Sequence, residues 1–161
     1  AAALRSQAPG ALELTRWIAA SVRIKARVVT RDEREAGLRR VLNFGHTFGH
    51  ALEQVQGYGV LLHGEAVALG MVVAVRLSQR HAGLDPRVAH ALVSLLKRCF
   101  SRLKFPEVSW AEVSGALAAD KKTEQGRNVW VLIRRPGQPV FATPPAAVVR
   151  RCVAEARDVW A

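Results

Sequence analysis

Asn43, His46, His50 and His63 are the side chains of this sequence whose types and spacing could do chemistry. His46 and His50 stand four residues apart, so on a helix both imidazoles share one face, about 6 Å apart along the axis. His63 follows a break at Gly57-Tyr58-Gly59 and opens a second apolar run. Two helices aiming imidazoles at a common point make a workable metal centre. Zinc takes neutral imidazole nitrogen, and a catalytic zinc keeps three protein ligands and one open position. Histidines so spaced also serve as hydrogen-bonded core residues, and the spacing supplies no third ligand. Glu65 lies two residues beyond His63 and points about 200° away from it on a helix. It is expected to cap that helix or make a structural hydrogen bond. Glu53 is expected to support a ligand from behind or to pair at the surface.

The elements that must position these groups follow from periodicity. Ala11 to about Thr30 reads as a helix, with Leu14, Trp17, Ile18, Val22 and Val28 recurring at three-to-four spacing. Lys25 falls near that stripe, where a lysine ordinarily snorkels to solvent. The charged stretch from Thr30 to Arg40 is a turn with room for a short helix capped by Thr30 or Asp32; Arg39 and Arg40 read as surface cations. Phe44 to about Gln56 forms the helix of the first two histidines. Gly45 and Gly49 are poor helix formers, and they imply either close approach of another backbone or ligand, or tight helix packing. His63 to about Ala82 is the long central helix, and its segment GEAVALGMVVAV is apolar almost all round and belongs in the core. Gly83, Asp85 and Pro86 make a turn. Arg87 to about Phe100 is an amphipathic helix with Val88, Leu92, Leu95, Leu96 and Cys99 inward, and His81 and His90 lie at the surface. A short helix runs from Trp110 to about Ala119. Val129 to Ile133, a Pro-Gly turn, and Val140 with Phe141 read as a small β-hairpin near 129–142. A last helix starts at about Pro145, proline being tolerated in a first turn.

The chain is thus a mainly α fold with one hairpin: a loose lead-in over residues 1–10 and one helical domain over 11–161. Its 161 residues, 50% hydrophobic and 23% charged, are ordinary globular material with one core. No apolar run reaches the length of a membrane span, and no signal peptide is visible. Cys99 and Cys152 are far apart and unpatterned, which suggests free thiols and a cytoplasmic setting. The net charge of +11 is spread along the chain. There is no RNA-binding aromatic pattern, zinc-finger spacing or basic tail, so no nucleic-acid partner is expected. The excess base fits either a site for a phosphorylated carboxylate or a more acidic partner domain.

The segments LRRVLNFGHTFGHALE, GYG and LHGEAVALGM, with the gap between the histidines, resemble the C-terminal domain of 3-dehydroquinate synthase. Related sugar-phosphate cyclases share that fold. The resemblance implies a lyase of the shikimate route to aromatic amino acids. It turns a C7 phosphorylated keto acid, 3-deoxy-arabino-heptulosonate 7-phosphate, into 3-dehydroquinate and phosphate, with NAD and a divalent zinc or cobalt ion. By position it implies that His46 and His63 are metal ligands and that His50 meets the phosphate and moves protons, as suits imidazole. It implies that Lys25 contacts the substrate carboxylate, and that Arg39 and Asn43 hold the carboxylate and a ring hydroxyl. Arg offers a planar fork of donors, and Asn both donates and accepts. Lys121 and Lys122, in isolation a solvated pair, match the family's phosphate-contacting lysine, with Lys122 favoured.

The family's third metal ligand is a Glu in an E-x-x-K segment, which is not found before Lys25; Glu13 is followed by Leu14, Thr15 and Arg16. The NAD-binding N-terminal α/β domain has no counterpart in these residues either. The chain is therefore expected to be a part of the enzyme, inactive alone, with that domain as its partner and a homodimer as the full assembly. Another cyclitol-forming cyclase and a non-enzymatic helical binding module are the alternatives.

Overall fold

The structure is a computed structural model that describes residues 10–34, 37–57, 59–119, 123–124 and 127–160. Most of the expected lead-in, and both Lys121 and Lys122, lie outside the described residues. The chain divides into two compact units, 1–42 and 43–161.

In the first unit, helix α1 spans Ala11–Arg31, one residue past the expected end. Its apolar stripe builds no core: none of its residues is buried, and Ile18 and Val22 are 55% and 60% exposed. Asp32 stops the helix. Its N–H donates to the carbonyls of Val28 and Val29 at 3.1 Å. Its Oδ2 accepts from the N–H of Gly37 at 2.9 Å and of Arg39 at 2.8 Å. The capping role expected of Asp32 is thus real, but the turn it organises is the 3-10 helix Leu38–Asn43.

The second unit is built around helices α2, His46–Gln56, and α3, His63–Leu77. Glycine sets how closely they pack. A Cβ at Gly70 would stand 1.9 Å from the Gly45 carbonyl oxygen, and one at Gly45 would stand 2.7 Å from the Met71 nitrogen. Gly49 meets the backbone of Ala66 in the same way, at 3.1 Å. Gly45 also holds φ at 85°, a left-handed conformation that only glycine adopts at little cost. The two alternatives left open for Gly45 and Gly49 therefore resolve to backbone packed against backbone. Gly45 is the N-cap, so α2 starts two residues later than expected, with His46 in its first turn.

Helix α3 buries ten side-chain positions, from Ala66 to Leu77. The chain continues as a π-helical turn, Ser78–Ala82, so helical structure reaches the expected end at Ala82. Gly83 closes it at φ 75°. Helix α4, Pro86–Cys99, is capped by Asp85, whose Oδ1 accepts from the Arg87 N–H at 2.7 Å. Of the residues expected inward, Val88, Leu92 and Leu96 pack against the core half-buried, whereas Leu95 and Cys99 are exposed. The fully buried positions are Ala89 and Val93, each one residue after an expected one. Helix α5, Trp110–Ala119, starts on a reciprocal cap. Ser109 Oγ accepts from the Glu112 N–H at 3.2 Å, and the Glu112 carboxylate accepts from the Ser109 N–H at 2.7 Å. That cap lowers the Glu112 carboxyl below its ordinary pKa.

The expected hairpin forms from β3, Trp130–Arg135, and β4, Gln138–Ala142, antiparallel with Trp130 opposite Ala142 and Leu132 opposite Val140. A second, minute ladder pairs β1, Thr123–Glu124, with β2, Arg127–Asn128. Helix α6, Ala146–Asp158, follows Pro145 and buries Val149, Cys152, Val153 and Ala156. One core joins these elements: Phe48, Leu52, Leu69, Val72, Leu132, Cys152 and Trp160 all belong to it. Among the described residues, no helix is long and apolar enough to cross a membrane.

Candidate functional site

The three histidines converge. His46 and His50 lie on α2, and His63 is the first residue of α3. Ring centres are 5.3 Å apart for His46 and His63, 5.5 Å for His46 and His50, and 5.9 Å for His50 and His63. The glycine contacts explain the arrangement. Larger residues at Gly45, Gly49 and Gly70 would push the helices apart and separate His63 from the other two.

The spacing suits a shared ion. Zinc–imidazole bonds of about 2 Å put the ring centres of two histidines on one tetrahedral zinc about 5 Å apart. The shortest pair, His46 and His63, comes nearest to that figure. His46 Nδ1 lies 3.4 Å from the Phe44 carbonyl oxygen, at the long limit of a hydrogen bond. That leaves Nε2 as its better donor to a metal. A carboxylate stands beside the histidines. Glu53 Oε1 is 3.1 Å from His63 Nδ1, and donor atoms of His50, Glu53 and His63 all lie within 4.8 Å of one another. Imidazole nitrogens and one carboxylate are a donor set that zinc or a similar divalent ion accepts.

Glu65 takes no part. Its Oε2 accepts from the Leu62 N–H at 2.9 Å, which caps α3 as its spacing from His63 implied. Glu53, expected to support a ligand from behind or to pair at the surface, pairs with His63. Its position three residues after His50 is visible in the sequence, but its reach to His63 depends on how closely α2 and α3 pack.

The remaining residues named from the sequence are positioned as follows. Asn43 ends the 3-10 helix and is half-buried. Lys25 is exposed on α1, in the first unit. Arg39, also in that unit, donates through Nη1 to the Glu33 carbonyl at 3.2 Å. His81 and His90 are exposed, as expected. The second unit also holds a separate groove of about 510 Å³, lined by Trp110, Leu117, Asn128, Trp130, Pro145 and Val149. Among the described residues no titratable side chain lines it, and it is not where the histidines meet.

Comparison with known proteins gives this geometry a context. The sequence profile described as 3-dehydroquinate synthase C-terminal matches residues 2–123. Two curated relatives named 3-dehydroquinate synthase, from two strains of Acidithiobacillus ferrooxidans, are each 42% identical over 139 residues. The match takes in 85% of this chain and 38% of each relative, so the chain spans well under half of their length. Among solved structures, 2-deoxy-scyllo-inosose synthase complexed with carbaglucose-6-phosphate, NAD+ and Co2+ superposes with a TM-score of 0.72 at 22% identity, over 81% of this chain and 39% of that one. A 2-epi-5-epi-valiolone synthase from Streptomyces hygroscopicus, with NAD+ and Zn2+ bound, gives 0.70 at 22% identity, over 82% of this chain and 37% of that one. Identities this low establish the shared fold alone. The profile match over most of the sequence does more: the chain belongs to the 3-dehydroquinate synthase C-terminal family.

Proposed function

We propose that this chain is the metal- and substrate-binding part of a 3-dehydroquinate synthase, acting on 3-deoxy-arabino-heptulosonate 7-phosphate to give 3-dehydroquinate and phosphate. The observation that carries the reading is the convergence of His46, His50 and His63 within 5.9 Å, in a chain 42% identical to relatives of that name. His46 and His63 would hold a divalent zinc or cobalt ion. Bound there, it would polarise an alcohol or ketone oxygen of the substrate.

The chain's own residues do the rest. His50 stands beside that pair, partly exposed, and can both donate to a phosphate oxygen and carry a proton. Asn43 offers a donor and an acceptor to a ring hydroxyl. Lys25 and Arg39 supply positive charge for the substrate carboxylate, and Lys122 or Lys121 for its phosphate. NAD would be held by a separate α/β domain and the third metal ligand by a residue outside this chain. The full enzyme is proposed to pair as a homodimer and to work in the cytoplasm.

The test is product analysis with the complete polypeptide, NAD and a divalent ion. Release of phosphate together with 3-dehydroquinate is expected. A different carbocycle, or no phosphate release, would overturn the assignment. The 161-residue chain alone is expected to show no turnover.

A further inference from the structure

We propose that Glu53 is a positioning residue: its carboxylate holds His63 as the Nδ1–H tautomer, so that Nε2 presents its lone pair to the metal. The proposal rests on the reading of His63 as a metal ligand.

The geometry is specific. Glu53 Oε1 lies 3.1 Å from His63 Nδ1. The Glu53 side chain is only 12% exposed, whereas that of His63 is 58% exposed. A carboxylate so nearly buried needs a donor, and the imidazole edge supplies one. An ionised carboxylate only accepts, so the proton of a neutral imidazole must sit on Nδ1. Nε2 is then the free donor atom, with the ring's orientation fixed by the carboxylate behind it. The separation is held largely by backbone, because Gly45, Gly49 and Gly70 bring α2 against the backbone of α3.

Two other roles fit the same contact. Glu53 could simply tie α2 to the start of α3, where a negative charge is favourable. It could also bind the ion directly, with His50 and His63. Three variants of the 161-residue chain separate these roles: Glu53→Gln, which keeps an acceptor oxygen, Glu53→Ala, which removes it, and His63→Ala. Imidazole nitrogen shifts in the metal-free protein, at a pH where the rings are neutral, report the tautomer without any metal. Titration with Co2+ against a competing chelator reports affinity.

The wild type and Glu53→Gln are expected to hold His63 as Nδ1–H, and Glu53→Ala to show a tautomer mixture. Co2+ affinity is expected to fall about 10- to 100-fold in Glu53→Ala and to stay near the wild-type value in Glu53→Gln. Retention of the Nδ1–H tautomer in Glu53→Ala overturns the proposal, even if that variant melts earlier, because only the structural tie is then lost. Equal loss of affinity in both Glu53 variants, with the tautomer kept in Glu53→Gln, overturns it in favour of direct ligation. Unchanged affinity in His63→Ala is a different failure, that of the metal-ligand reading itself.

Discussion

Gly70 carries no side chain because there is no space for one: a Cβ would stand 1.9 Å from the Gly45 carbonyl oxygen, and backbone cannot swing aside. Gly70→Ala is therefore expected to destabilise the protein by about 3 kcal/mol or more, at or beyond the upper end of ordinary overpacking. Urea denaturation measures it, and a loss under about 1 kcal/mol would mean that α2 and α3 separate easily. Gly115 is the internal contrast. It lies in α5, exposed, with nothing within 4 Å of its absent Cβ. Gly115→Ala should raise stability by about 0.4–1 kcal/mol by restricting the unfolded chain. The cysteines differ in a similar way. Cys152 is fully buried, and desolvation pushes its thiol from 9.0 up to about 11, whereas Cys99 is exposed. A neutral disulfide reagent should label one thiol in the native protein and two in denaturant. Because the folded pKa is the raised one, the unfolded chain releases the Cys152 proton first. Stability from this group is full below about pH 9 and declines as pH rises toward 11. A Cys152→Ala variant should lose that part of the alkaline slope. At this scale the sequence was informative where chemistry is written in residue type: the histidines, the glycines beside them, and Glu65 as a cap. For Glu53 it offered a support behind a ligand or a surface pair, and it could not name the partner, His63, which lies ten positions away on another helix.

At the scale of elements, local pattern carried most of the fold. The helices and the hairpin stand within about two residues of where periodicity and turn residues put them. Local pattern failed where two elements decide jointly. On α4 the expected Val88, Leu92 and Leu96 do pack on the core, but the fully buried positions are Ala89 and Val93, while Leu95 and Cys99 are exposed. Ser78 is a second case. It follows the apolar run in a polar stretch that reads as surface, yet it is buried and its hydroxyl joins the end of α3 to the hairpin. Its Oγ donates to the Ala74 carbonyl at 2.7 Å and accepts from the Ile133 N–H at 3.0 Å. Pro139 stands opposite Ile133 in the ladder, and the Ile133 N–H is given to the Ser78 hydroxyl. Ser78→Ala should cost about 1–3 kcal/mol, the penalty for leaving a buried donor without its acceptor. Hydrogen exchange at the Ile133 amide should quicken selectively. If exchange there is unchanged, water or another acceptor replaces the hydroxyl and the link is dispensable.

For the whole molecule, the question is what each unit contributes. The core draws its residues from Phe44 onward, and α1 buries none of its own. Residues 43–161 should therefore fold without residues 1–42. The proposed metal ligands, with Glu53 behind them, all lie in this second unit, while Lys25 and Arg39, the proposed carboxylate contacts, lie in the first. Removing residues 1–42 should thus separate two properties that the intact chain combines. The melting temperature should move by no more than about 4 °C, the shift that about 1 kcal/mol produces in a domain of this size. Co2+ affinity should be kept, and affinity for a small phosphorylated carboxylate should fall at least about tenfold, a loss of about 1.4 kcal/mol, because the two cations proposed as carboxylate contacts would be gone. Calorimetry and ligand titration on the 43–161 piece read all three. A collapse of the cooperative transition would mean that α1 supports the core in a way its exposure does not reveal. Undiminished carboxylate affinity would mean that the positive charge of the first unit serves something other than this substrate, and the roles given to Lys25 and Arg39 would fall with it.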